Sequence, residues 1–208
     1  MPQITAIEPQ KRKKDRFNIF LDGEFAFGLD AEALVRNEIR IGRQLDEEEV
    51  EKLVLENEVG KVMEKVWRFL AVRSRSRREI EYYLKKKEAG QAVCKIIFEK
   101  LERYGAVNDF EFAKMWVDSR NRFRPRGSFL LRAELNQKGI RKDIITAVLE
   151  KNEKHQFELA QKAAEKKFKT LKNLEYRPFF QKMSSYLLRR GFDFGTAKRV
   201  VDSLWEKR

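Results

Sequence analysis

The sequence predicts a mainly α-helical fold built from tandem copies of a small helical module, preceded by a short β-containing unit. The first observation behind this is a repeat: Leu84 and Lys87, Leu135 and Lys138, and Leu187 and Arg190 each place a basic residue three positions after a leucine. Nine, thirteen and fourteen residues beyond each leucine come Val93, Ile97 and Phe98, then Ile144, Val148 and Leu149, then Thr196, Val200 and Val201. Only Thr196 is not apolar, and a spacing of 51 and then 52 residues suits a unit of two or three helices. The second observation is a series of helix-start signals followed by apolar residues at helical spacing. The third is the different pattern of the first thirty residues, where apolar residues alternate around an Asp-Gly pair.

Taken in order, Ile4 to Glu8 reads as a short strand and Arg16 to Leu29 as a hairpin around Leu21-Asp22-Gly23. A two-residue Asp-Gly turn pairs Phe20 with Phe25 and puts Phe17 and Ile19 on the face opposite Phe25 and Phe27. A three-residue loop ending in Gly23 pairs Ile19 with Phe25 and Phe17 with Phe27, which gathers the apolar side chains on one face and is the register expected. Asp30 can cap a short helix through about Arg36, and Ile39 to Ile41 adds a short extended piece before Gly42. Asp46-Glu47-Glu48-Glu49 offers a capping box and negative charge at the positive end of a helix dipole, so this acidic run reads as a helix start and not a metal site. Val50, Leu53 and Val54 give that helix a buried stripe, continued by Val62, Val66, Phe69 and Leu70, with a break expected near Gly60.

Ser76-Arg77-Arg78-Glu79 is a second capping box, predicting a helix from Arg77 to about Lys86 with Ile80, Tyr83 and Leu84 inward. A helix from about Gln91 to Tyr104 follows, and Asn108-Asp109 caps the next one, in which Phe112, Ala113, Trp116 and Val117 read as core. Gly127-Ser128 opens a helix carrying Leu131 and Leu135, and Gly139 stops it. Ile144, Ile145, Val148 and Leu149 belong to the helix after that. The last copy starts around Gln156, is stretched by Lys169 to Pro178, resumes with Phe180, Met183 and Leu187, and closes with a helix capped by Asp193 that runs through Trp205. Gly139 and Gly191 occupy equivalent left-handed cap positions, whereas the first copy has Glu88 there, so its turn is expected to differ.

Composition narrows the function. The chain has 46 Lys and Arg against 33 Asp and Glu, a formal charge of +13, which points to a polyanionic or acidic partner. No run of about eighteen apolar residues and no basic-then-apolar leader is present, so no membrane association is expected and a cytoplasmic location follows. Cys94 is the single cysteine and reads as a small buried hydrophobe. His155 is the single histidine, so a zinc cluster or Cys-His nucleophile has no local support, and no glycine-rich phosphate loop occurs. Glu79 and Glu81 face different sides of their helix, which argues against paired-carboxylate catalysis. No catalytic residue, metal or cofactor is expected, and modules that bury one another's faces need no second chain, so a monomer is.

Binding is better supported. Arg73, Arg75, Arg77 and Arg78 lie at and before a helix N-terminus, where backbone N–H groups and guanidiniums can together hold phosphate or carboxylate; the alternative is solvated surface with ion pairs to Glu79 and Glu81. The segment with Arg120, Arg122, Arg124 and Arg126 has no acidic residue and includes Phe123, which can stack on an exposed base; anchoring the loop in the core is the role preferred for it.

Three segments then carry a resemblance: Arg73-Ser74-Arg75-Ser76-Arg77-Arg78-Glu79-Ile80; Asp109-Phe110-Glu111-Phe112-Ala113 with Arg120 following; and Gly127 through Glu134-Leu135 to Lys138-Gly139-Ile140. In order and spacing they resemble the signature blocks of the RecX family, and Ile4 to Leu29 is similar to the extra N-terminal unit of RecX proteins of Gram-positive type. The resemblance implies tandem three-helix units in an elongated, curved array, divided here as an N-terminal unit 1–58 and modules 59–107, 108–153 and 154–208. It implies a regulator without a catalytic site that binds the RecA recombinase and its filament on DNA, mostly restraining recombination and ATP hydrolysis by RecA. Candidate binding residues carried over are Arg73, Arg75, Arg120, Arg126 and Lys138, to which clustering adds Arg77, Arg78, Arg122 and Arg124. A sequence-independent nucleic-acid-binding module with no RecA dependence is the alternative.

Overall fold

A computed structural model describes residues 1–11 and 13–207. The chain opens with three antiparallel strands, β1 (Ile4–Gln10), β2 (Lys13–Leu21) and β3 (Glu24–Asp30), in the spatial order β1-β2-β3. The β2–β3 connection is the tight two-residue turn: Asp22 and Gly23 have φ of 49° and 88°, and Leu21 pairs with Glu24 and Phe20 with Phe25. Positive φ at both turn residues matches the twist of the flanking strands. An irregularity between Ile19 and Phe20 then shifts the register, so that Ile19 pairs with Phe27 and Phe17 with Leu29. The expected three-residue loop is thus incorrect, because a bulge does the same work one step later: Ile19, Phe27 and Leu29 are buried while Phe25 is 58% exposed.

Asp30 caps α1 (Ala31–Arg36), its carboxylate accepting from the Ala33 N–H at 2.7 Å. The extended piece expected at Ile39 to Ile41 falls later instead. Ile4 N–H donates to Arg43 O, Gly42 N–H to Ile4 O and Leu45 N–H to Pro2 O, so residues 42–45 run antiparallel to residues 2–4, at the start of β1. The capping box of Asp46 and Glu49 starts α2 (Glu47–Val72), with bonds of 2.7 and 3.0 Å. The helix continues through Gly60 without the expected break. A glycine in a helix interior costs about 1 kcal/mol relative to alanine, which the buried row Leu53, Val59, Val62, Met63 and Val66 outweighs. Val54 stands 42% exposed and is not part of that row.

The remaining helices are α3 (Arg77–Lys86), α4 (Gln91–Arg103), α5 (Asp109–Phe123), α6 (Ser128–Gln137), α7 (Lys142–Glu153), α8 (Gln156–Leu171), α9 (Tyr176–Arg189) and α10 (Phe194–Glu206). Contacts divide the chain into two compact units, Met1–Arg73 with Tyr82–Tyr104, and Ser74–Glu81 with Gly105–Arg208. In the second unit α5, α6 and α7 enclose a core that includes Phe112, Val117, Leu131, Leu135, Ile145 and Leu149. Helices α8, α9 and α10 enclose another around Ala164, Phe179, Met183, Leu187, Val200 and Val201. The long connection expected from Lys169 to Pro178 is only residues 172–175. Pro178 sits in the first turn of α9, where its missing N–H would have had no helical partner.

The leucine-and-basic repeat acquires a structural meaning here. After Leu84, Leu135 and Leu187 each helix ends in the same left-handed turn, with Ala89, Ile140 and Phe192 N–H donating back to those leucine carbonyls. Glu88 adopts φ 56° just as Gly139 and Gly191 adopt 77° and 85°, so the first turn does not differ as expected. What differs is what lies above it. A Cβ on Gly139 would stand 2.6 Å from Cβ of Arg78, and one on Gly191 would stand 2.4 Å from Cβ of Leu130. The turns at 139 and 191 are docking points for the first turns of α3 and α6. Two hydrogen bonds at equivalent positions close them: Ser76 Oγ donates to Lys138 O at 2.7 Å, and Gly127 N–H donates to Arg190 O at 2.9 Å.

Gly139→Ala and Gly191→Ala should each cost about 2–4 kcal/mol, combining left-handed strain with overpacking, whereas Glu88→Gly should be neutral or stabilising by up to about 1 kcal/mol. Leu135→Ala, at a fully buried position, should cost about 2–5 kcal/mol. Urea denaturation of the full chain checks all four.

Candidate functional site

Glu134, on α6, faces the last turns of α5 and is only 11% exposed at its side chain. An isolated carboxylate at that depth is costly unless it is paired. It accepts from the indole N–H of Trp116 at 2.7 Å and from Nε of Arg120 at 2.9 Å, and it forms an ion pair with Arg126. The Arg120 guanidinium also lies 4.5 Å from the centre of the Trp116 ring, and the Lys138 ammonium 5.0 Å from it, both within cation–π range. Lys138 reaches Glu79 of α3 at 2.6 Å. One chain of contacts therefore runs from α3 through Lys138, Trp116 and Arg120 to Glu134 and Arg126.

The corner between α5 and α6 carries more positive charge than Glu134 neutralises. Burial, followed by the charges of Arg120, Arg190 and Arg124, holds the Arg126 pKa below its ordinary value, even though Arg126 is paired with a carboxylate. Arg190 itself donates to Pro125 O at 3.4 Å. The Arg122 guanidinium lies 5.3 Å from the centre of the Phe123 ring, which is 73% exposed, and Arg124 is exposed beside it. The core-anchor role preferred for Phe123 is therefore wrong: Pro125, not Phe123, is buried at this corner. Arg120 and Arg122 belong to α5 and Arg124 caps it, so these arginines form a helix end and corner within one three-helix module.

The nine candidate residues thus separate. Arg120, Arg126 and Lys138 are inward-facing braces, each about three-quarters buried at its side chain. Arg122 and Arg124 point outward. Arg78 lays its side chain over Gly139. Arg77 pairs with Glu81 at 3.3 Å, and its backbone N–H donates to Asp109 Oδ1 at 2.8 Å, while Arg75 is half-buried. Arg73 belongs to the other compact unit, as the exposed C-cap of α2. The ion pair foreseen for the first cluster is present between Arg77 and Glu81, and Glu79 pairs with Lys138 while closing the capping box with the Ser76 N–H. Sequence reasoning missed Glu134 as the organising carboxylate and Arg190 as a member of the basic corner. The repeat contained a signal for Arg190, which is the equivalent of Lys138. Among the described residues no group of His, Cys, Asp or Glu could hold a metal ion, and no helix is long and apolar enough to cross a membrane.

Glu134→Gln should destabilise the chain by about 1–3 kcal/mol by leaving Arg120 and Arg126 partly unpaired. Arg122→Ala with Arg124→Ala should change stability by less than about 0.5 kcal/mol and should weaken binding to single-stranded DNA with a shallower salt dependence. Urea unfolding and fluorescence anisotropy across salt measure the two effects.

Comparison with known proteins accounts for most of the chain. Residues 2–46 match the regulatory protein RecX N-terminal domain, residues 108–149 the second three-helix domain of RecX, and residues 154–201 the third. The regulatory protein RecX of Bacillus subtilis (strain 168) is 36% identical over 205 residues, covering 98% of this chain and 78% of that protein. That of Listeria monocytogenes serovar 1/2a is 33% identical over 200 residues, covering 96% and 74%. A crystal structure of regulatory protein RecX superposes with a TM-score of 0.78 at 28% identity, covering 97% of this chain and all of that one. RecX from Lactobacillus salivarius shares the fold at a TM-score of 0.64 and 24% identity, over 71% of this chain and 96% of that one. Domain matches in order, near full-length relatives and a shared fold lead to one conclusion: this chain belongs to the RecX family of regulatory proteins.

Proposed function

We propose that this chain is a non-enzymatic, cytoplasmic regulator that binds RecA and its filament on DNA and restrains recombination and ATP hydrolysis by RecA. Membership of the RecX family along nearly the whole chain carries the reading, since the family implies a regulator of RecA. The basic corner supports it physically. Arg120, Arg124, Arg126 and Arg190 gather near a single buried carboxylate, and a surplus of that kind attracts acidic protein surface or DNA phosphate. Repeated modules suit a filament, because several weak contacts on neighbouring subunits add up through effective concentration.

A second reading has one specific observation in its favour. Phe123 is exposed between Arg122 and Arg124, an arrangement able to stack a base and hold its phosphate without RecA. A sequence-independent nucleic-acid-binding module would use this corner alone.

The two readings separate in one set of measurements. Added to RecA on single-stranded DNA, the purified chain should lower the rate of ATP hydrolysis and strand exchange, and it should bind the preformed filament more tightly than bare DNA as salt rises. Unchanged hydrolysis and exchange at saturating ratios with the fold intact would sink the RecA reading. Equal affinity for filament and bare DNA, falling together with salt, would establish the second.

A further inference from the structure

The first compact unit carries a cleft of about 500 Å³ between the end of α1, the middle of α2 and α4. Leu55, Val59 and Ile96 supply apolar lining, and Arg36, Lys52 and Lys100 supply cations. Its one carboxylate is already engaged: Glu56 pairs with Arg36 and accepts from Asn37 Nδ2 at 3.0 Å. Among the described residues neither Lys52 nor Lys100 has an ion pair or a hydrogen bond to its side chain. Two uncompensated ammoniums therefore border an apolar recess.

We infer that this cleft docks an acidic, apolar polypeptide segment of the regulated partner: a large apolar side chain set against Leu55, Val59 and Ile96, with flanking carboxylates on Lys52 and Lys100. A nucleic acid fits the same place poorly. None of the lining residues is aromatic, so bases find no stacking surface. An amphipathic segment laid into a groove is a recurrent mode of protein recognition, and alternating apolar and acidic residues match both halves of this lining. The inference rests on the reading above in one respect, that the partner is RecA. It gives the two compact units different tasks, with acidic protein at this cleft and nucleic acid at the arginine corner of the other.

The test compares the full chain with two variants of equal net-charge change, Lys52→Glu/Lys100→Glu and Arg122→Glu/Arg124→Glu. Circular dichroism and thermal melting establish that each variant is folded. The cleft variant should bind the RecA filament about tenfold more weakly and keep most of its affinity for bare single-stranded DNA, while the corner variant should lose affinity for bare DNA. Overlapping short peptides tiling RecA should include acidic, apolar ones that bind the wild-type chain and not the cleft variant. If the wild-type chain ignores the filament, the RecA reading fails first. If it binds the filament and the cleft variant binds equally well, the cleft inference is wrong. Loss of bare-DNA affinity equal to that of the corner variant would also overturn it, by making the cleft one more part of a general polyanion surface.

Discussion

The second compact unit depends on close approach between a helix start and a helix end. At each docking point the first turn of one helix meets the left-handed turn that terminates another, and a donor on the first reaches the carbonyl that the second leaves unpaired. Ser76 Oγ does this to Lys138 O and Gly127 N–H to Arg190 O. Helix C-termini leave carbonyls without helical partners, so one bond both satisfies a terminus and fixes a module against its neighbour. The contact tolerates no Cβ: on Gly127 a methyl would stand 2.0 Å from Gly191 O. Close packing of this kind is stiff, because overpacking forces the backbone to move.

The charged chain of contacts follows from that docking. Seating α3 on the turn after α6 places Glu79 against Lys138, and Lys138 in turn lies against Trp116. Trp116 and Arg120 hold Glu134, which also holds Arg126. Arg190, whose carbonyl closes the other docking point, adds its guanidinium to the same neighbourhood. The residues that join the modules and those that concentrate positive charge are thus partly the same. Substituting Arg120 or Arg126 therefore disturbs packing along with surface charge, whereas Arg122 and Arg124 face solvent and can be changed with little effect on it.

Much of this was legible from residues. The caps at Asp30, Asp46, Ser76, Asn108 and Asp193 all hold their helix starts, because a cap is a contact between residues three apart or fewer and needs no tertiary information. The misread elements share a cause. The bulge after Phe20, the unbroken helix through Gly60 and the short connection before Pro178 are places where burial or terminus geometry overrides a local signal. In the arginine segment, charge clustering showed where positive charge accumulates, but sequence order alone could not divide it into braces and outward groups. That division depends on where Glu134 lies, one helix away.

By itself the sequence determined the helical modules, their starts and stops, the excess of positive charge and, through ordered motif blocks, the family. These follow from short-range hydrogen bonding, from the 3.6-residue period and from composition. Only the tertiary structure decided why Gly139 and Gly191 are glycine while Glu88 need not be: all three adopt the same turn, but only two have a neighbouring helix where the Cβ would be. It also decided which arginines face solvent and placed two unpaired lysines beside an apolar cleft. Those are distances between groups far apart in the chain, and they are set when the helices pack.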